Sequence, residues 1–243
     1  MNAFNRVENL IGKENLLRLS ASKVALFGVG GVGGFAIEAL VRSGVGEVAI
    51  FDGDTVDTTN LNRQIIATEN TVGLDKVEVV KDRLLSINPN LKIYTKKIFY
   101  LPENADEIHL DGYDYVIDAV DTVSAKLEII SRAKALNIPV ISCMGTGGKL
   151  EIEKLKVADI SKTEGCPLAR VMRRELKKRN IEKVKVVYSG EGVKNQEKLV
   201  SENGKAVPSS MIFVPAVAGL YIAREVVFDL IEGFCDKKPN KQK

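Results

Sequence analysis

The chain has little with which to build a metal cage or a histidine-based catalytic site. Its three cysteines, Cys143, Cys166 and Cys235, form no CxxC pair, which argues against a structural zinc site, because such sites draw on closely spaced thiolates. One histidine, His109, cannot make a histidine cluster, and nothing around it suggests a Ser/His/Asp triad. No uninterrupted apolar run approaches the roughly 20 residues needed to cross a bilayer. The first residues, MNAFNRVENLIGKENLL, lack the basic and apolar blocks of a secretory signal. The expectation is a cytoplasmic protein without membrane contact. A formal charge of +3 is too small to decide about nucleic acid, so charge must be read locally.

What is present reads as an α/β enzyme. Apolar residues make up 45% of 243, enough for a substantial core in one domain spanning 1–235. Its nucleotide-binding half is expected over 1–147, its substrate half over 148–235, and a solvated tail over 236–243. Residues 4–20 read as an amphipathic helix. Strands near 23–28 and 47–52 flank a helix near 32–43, and 52–64 is a loop. Helical spacing over 73–87 stops at Asn88-Pro89. Residues 91–98 alternate as a third strand, a short acidic helix covers 103–109, and 113–120 is a buried strand. A helix over 122–136 leads to the fifth parallel strand, 138–144. This order predicts a doubly wound, Rossmann-like, mainly parallel sheet. Past Gly147-Gly148 the pattern changes to antiparallel additions. An alternating strand covers 149–157, a basic helix 166–180, a strand 183–189, a mobile loop 189–208, and one apolar helix 209–234.

Gly28, Gly30 and Gly33 fit GxGxxG between the apolar run Val24–Phe27 and a helical pattern, with Gly31 inside the same turn. Such a turn lets backbone approach phosphate, and the helix start offers free N–H groups. Asp52 ends the second apolar run, placed to accept from a ribose. Those features alone fit NAD or FAD as well as other nucleotides. The loop DGDTVDTTNLNRQ adds Asp54, Asn60, Arg63 and Gln64, and the next helix adds Lys76. Arg63 offers a fork to phosphate oxygens and Lys76 a point charge. Two cations suit a triphosphate attacked at its α-phosphorus, where developing charge must be neutralised. Asp121 follows strand four at its carboxyl end, and a carboxylate beside a triphosphate suits magnesium. Asp54 serves equally well as a turn cap.

In the second half, Arg170, Arg173, Arg174, Lys177 and Lys178 share one helix face, opposite Leu168, Val171, Met172 and Leu176. Arg179, Lys183 and Lys185 extend the run, interrupted by Glu175 and Glu182. This is the footprint expected for a phosphate backbone, although an ordinary solvated face has the same pattern.

GVGGVGG, DGDTVDTTNLNRQ, GLDK and DAVDT together resemble the ubiquitin-activating-enzyme-like adenylating superfamily, over nearly the whole chain. The resemblance implies that Asp52 binds ribose, that Asn60, Arg63, Gln64 and Lys76 hold phosphates, and that Asp121 binds Mg²⁺. Arg63, Lys76 and Asp121 become the expected catalytic set. Arg6, in AFNR, matches an arginine that reaches the ATP site of a second subunit, implying a homodimer. INPN, GTGGKLE and ADISKTEGCPLARVMRRELKKRNI further resemble the tRNA threonylcarbamoyladenosine dehydratases. That resemblance implies ATP and Mg²⁺ as cofactors without zinc, and tRNA as substrate. It leaves a monovalent cation and a sulfur-transfer partner open. In those enzymes a carboxylate is adenylated, then attacked by a nitrogen of the same group to close a hydantoin. No catalytic cysteine is needed, so Cys166 reads as a non-catalytic thiol, Cys143 as packing and Cys235 as inert. Three other readings remain: an activator of a sulfur-carrier protein with Cys166 as acceptor, an NAD-dependent oxidoreductase, and a non-enzymatic nucleotide sensor.

Overall fold

The computed structural model describes residues 3–192, 199–200, 206–207 and 209–231. A seven-stranded sheet runs through it in the order β3-β2-β1-β4-β5-β7-β6. The strands are β1 (Lys23–Phe27), β2 (Glu47–Asp52), β3 (Lys92–Lys97), β4 (Tyr115–Asp118), β5 (Val140–Cys143), β6 (Leu155–Asp159) and β7 (Lys185–Ser189). All pairings are parallel except β6 against β7. The mainly parallel, Rossmann-like sheet with an antiparallel addition is therefore present. The chain leaves β1 toward β2 on one side and returns as β4 on the other. A crevice opens outside their carboxyl ends at this reversal, where open α/β sheets bind ligands.

Both faces of the sheet are covered, which explains why β1 and β4 are apolar almost without alternation. Helices α3 (Gly33–Arg42), α4 (Lys76–Ile87) and α7 (Phe213–Leu230) pack one face around Leu26, Ile37, Leu40 and Ile222. Helices α5 (Val123–Ala135) and α6 (Pro167–Lys178) cover the other, around Phe27, Ile129, Ala169 and Met172. Tyr115 Oη donates to Asp229 at 2.7 Å and Lys185 pairs with the same carboxylate at 2.6 Å, fastening α7 across β4 and β7.

Several boundaries differ from the sequence reading. Residues 4–20 form two helices, α1 (Asn5–Ile11) and α2 (Lys13–Ala21), because Gly12 between them lies at φ 86°, ψ 156°. The acidic helix is a 3₁₀ segment, Pro102–Glu107. The strand expected over 149–157 begins only at Leu155. Before it, the Leu150 and Glu151 amides both donate to the Glu191 carboxylate at 2.9 Å, so they are not available to a ladder. Within the expected loop 189–208, β8 (Leu199–Val200) and β9 (Ala206–Val207) pair antiparallel. Residues 193–198, 201–205 and 208 of that loop, the end of the last expected helix and the tail 236–243 lie outside the described residues.

Candidate active site

The glycine turn is set by contacts no side chain would permit. Gly28 lies at φ +87°, where its N–H donates to Phe51 O at 2.8 Å. A Cβ there would come 2.8 Å from the Ala119 carbonyl oxygen, and one at Gly33 only 1.9 Å from that of Gly28. The turn thus folds directly onto itself and onto the end of β4. Among the described residues, the amides of Gly30, Gly31 and Val32 have no backbone acceptor. With the start of α3 they form a donor array suited to an anion.

Asp52 anchors the next wall. One carboxylate oxygen accepts the Val29 N–H at 2.7 Å and the other the Asp54 N–H at 2.8 Å, which locks both loops to the end of β2. Burial pushes this carboxyl above the usual aspartate value, against the pull of the Lys76 charge and the two amides. The loop beyond is shaped by Asp57, which accepts from Thr59 N at 2.8 Å, while Asn60 Oδ1 accepts from Asp57 N at 3.2 Å. Arg63 Nη1 donates to Thr59 O at 2.7 Å and Asn62 Oδ1 at 2.9 Å, pinning one arm of its fork. Gln64 is buried close to Gly30, and its Oε1 is an unbonded acceptor facing no protein donor among the described residues. Lys76 opens α4 and is 4% exposed, its Nζ 2.8 Å from Asp54 Oδ2. Asp54 is therefore the counter-ion that aims Lys76.

These groups meet around one cleft of about 570 Å³, lined by Gly28, Gly30, Gly31, Asp52, Asp54, Asn60, Arg63, Gln64, Lys76 and Asp121. Gly33 shapes the turn from behind. Asp121 is exposed, and among the described residues its carboxylate has only Thr122 Oγ1 at 3.4 Å. The cleft also has an apolar lining from Phe51, Ile98, Phe99, Leu101 and Ala125. The sequence reading missed this lining, whose signal was the apolar break IFYL after a charged strand. It also missed Thr146, near the end of the first half, and Ser210, which brings the second half of the chain to the cleft.

Arg6 is not in this cleft. It lines a separate apolar groove with Leu10, Leu220, Arg224 and Phe228, between α1 and α7. On α6, Arg170, Arg174, Lys177 and Lys178 are exposed, but Arg173 is half-buried. Its Nη1 donates to Thr163 O at 2.6 Å and to Thr163 Oγ1 at 2.7 Å, so it braces the turn before α6 rather than joining the exposed cations. Glu175 draws in Lys178, Arg174 and Arg179, whose hydrogen bonds hold its carboxyl down at about 2. Cys143 and Cys166 are both buried, and burial pushes the Cys143 thiol up to about 12. Cys235 lies outside the described residues. Among the described residues, no cluster of three His, Cys, Asp or Glu could hold a metal, and no helix is long and apolar enough to cross a membrane.

A Rossmann-like sheet whose switch-point cleft carries a glycine turn, Arg63 and Lys76 defines the class. The chain belongs to the ThiF family, whose model matches residues 4–241. It is 43% identical to the tRNA threonylcarbamoyladenosine dehydratase of Bacillus subtilis (strain 168), with 96% of each chain covered. It is 39% identical to the enzyme of the same name from Haemophilus influenzae, covering 72% of this chain and 67% of that one. Among solved structures, it superposes on the Escherichia coli enzyme TcdA in complex with ATP with a TM-score of 0.85, at 30% identity. That match covers 97% of this chain and 96% of the other.

Proposed function

We propose that this chain is an ATP-dependent tRNA threonylcarbamoyladenosine dehydratase, acting in the cytoplasm. The single observation that carries the reading is the cleft joining a glycine turn, Arg63 and Lys76, in a chain alike over 96% of its length to an enzyme of that name. The carboxylate of the modified nucleoside attacks the α-phosphorus of ATP, pyrophosphate leaves, and an acyl-adenylate forms. A nitrogen of the same group then attacks the acyl carbon and AMP departs. Ring closure is intramolecular, so holding the group in place supplies much of the rate. The free amides of the glycine turn hold phosphate oxygens, Asp52 accepts from the ribose, and the apolar lining takes the adenine. Lys76 and Arg63 meet the charge that grows on the α-phosphoryl group. Neither a sulfur-transfer partner nor a monovalent cation is required by these steps.

Asp121, an exposed cleft carboxylate with no cationic partner among the described residues, fits a magnesium ion carried in largely by the phosphates, better than an all-protein cage. Asp121 would hold it, and the ion would neutralise phosphate charge when bound. The test is incubation with ATP, Mg²⁺ and tRNA bearing threonylcarbamoyladenosine, followed by mass spectrometry of the nucleosides. Loss of one water with release of AMP and pyrophosphate is expected. An untouched nucleoside, with a ubiquitin-like carrier adenylated instead, would overturn the assignment. Burial of Cys166 disfavours that sulfur-carrier reading, which needs an accessible thiol acceptor.

The division of labour proposed is nucleotide binding by 1–147 and substrate binding by 148–235. On the second half, Arg170, Arg174, Lys177 and Lys178 form the tRNA contact, with Arg173 behind them. Changing those four to glutamine should weaken tRNA binding and reduce its salt slope by roughly 0.7–0.9 per lost phosphate contact. ATP binding should be unaffected. An unchanged slope in a salt titration would return α6 to an ordinary solvated face.

Because Arg6 stands away from its own cleft, its expected role in catalysis requires a second copy of the chain. The groove beside it exposes 76% of Leu10 and 49% of Leu220, an apolar surface suited to burial in a homodimer. Arg6→Ala and Lys76→Ala should each be inactive alone, yet regain part of the activity when mixed and reassociated. Hybrids would then carry one intact site. No recovery on mixing would place Arg6 outside the chemistry.

A further inference from the structure

Among the described residues, the best-shielded charges lie directly under the loop that carries Asp121. Asp118, the last residue of β4, and Lys126, on the second turn of α5, are both 0% exposed, their charged atoms 2.9 Å apart. Lys126 Nζ pairs with Asp118 Oδ2 and donates to Val120 O at 3.0 Å and Cys143 O at 2.7 Å. Asp118 also accepts from Ser142 Oγ, and through Oδ1 from Val120 N at 3.2 Å. Both backbone groups of Val120 are therefore held by one buried ion pair, which also ties β4 to the end of β5.

A buried pair of this kind adds little net stability, because desolvating two ions offsets their attraction. Its effect is geometric. The Val120 carbonyl belongs to the peptide plane shared with Asp121, and a trans plane held at its carbonyl fixes the direction of the next residue. The same loop meets the glycine turn, since a Cβ at Gly28 would lie 2.8 Å from Ala119 O and 3.0 Å from Val120 N.

We infer that Asp118 and Lys126 are positioning residues for the adenylation site. Together they fix the Val120–Asp121 peptide so that the Asp121 carboxylate is pre-aimed at the metal of Mg·ATP. This rests on the assignment of Asp121 to that metal. Supporting partners of metal ligands characteristically contribute about 10- to 100-fold in metal affinity or activity.

The test compares Asp118→Asn/Lys126→Met, which removes both charges at nearly constant shape, with Asp121→Asn and wild type. ATP binding is measured by titration calorimetry in EDTA and across a magnesium series, alongside pyrophosphate release. The double variant should bind ATP in EDTA within about twofold of wild type. It should need about 10- to 100-fold more magnesium for the same gain in affinity, and its kcat should fall while KM for ATP in saturating magnesium changes little. A folded double variant with wild-type magnesium dependence overturns the inference. If Asp121→Asn also keeps wild-type dependence, the metal assignment itself has failed; if it loses it, only the positioning role has. Should the double variant not fold, hydrogen exchange on the wild-type protein decides. A Val120 amide as protected as those of β4 supports a held peptide, and one exchanging as freely as the exposed Thr122 amide overturns it.

Discussion

Lys76→Ala is expected to lower turnover by roughly a hundredfold to a thousandfold while the protein remains folded, the usual size for removing one group that meets transition-state charge. The Nζ of Lys76 is held by Asp54 at 2.8 Å, at the first turn of a helix whose own N-terminus adds positive potential. In the proposed reaction those charges would bind phosphate in the ground state. As the carboxylate attacks and pyrophosphate departs, negative charge grows on the α-phosphoryl group, and a pre-aimed ammonium needs no reorganisation to meet it. The fold should tolerate the change, because the Asp54 side chain is 52% exposed and stays hydrated without its partner. Alanine is also a good helix former at that position. Lys76→Arg should not restore wild-type activity, since a planar fork cannot occupy the place of a compact ammonium. Single-turnover assays of cyclic nucleoside formation, with circular dichroism as the control on folding, measure both. A Lys76→Ala rate within threefold of wild type would remove Lys76 from the chemistry.

Lys126→Met alone is expected to have the largest effect on stability. It leaves the Asp118 carboxylate in the core without a cation, and also strips the Val120 and Cys143 carbonyls of their donor. Breaking one side of a buried pair characteristically costs about 3–5 kcal/mol. For a chain of this size that amounts to a fall in Tm of roughly 10 °C. Removing Asp118's charge as well should recover most of the loss, because the penalty lies in the unpaired ion rather than in the missing attraction. Urea unfolding of the single and double variants measures the difference. A single variant within about 1 kcal/mol of wild type would mean that water reaches Asp118, contrary to its complete burial.

Much of the nucleotide half is legible in the residues themselves because its signals are local. Glycine spacing, the apolar runs on either side and the helical pattern after them specify a strand–turn–helix within about twenty residues of one another. Asp52, Asn60, Arg63, Gln64 and Lys76 follow in a compact motif, and the cleft brings them together as their spacing suggests. The amphipathicity of α6 is likewise readable, since one face must be buried whatever it packs against.

Other features depend on partners far along the chain. Lys126, which the sequence reading did not single out, is buried because the ends of β4 and β5 converge on it. Arg173 has the spacing of an exposed cation, but Thr163 claims it. Residues 149–154 alternate like a strand, and only Glu191, some forty residues on, shows why they are not one. Asp54 could cap a turn or hold a ligand until Lys76 arrives from the next helix as its counter-ion. Sequence by itself determined the parallel sheet, the glycine turn and the set of polar residues gathered at the cleft. Tertiary structure alone decided which charges face solvent and which hold backbone, because that choice depends on hydrogen-bond partners that periodicity does not encode.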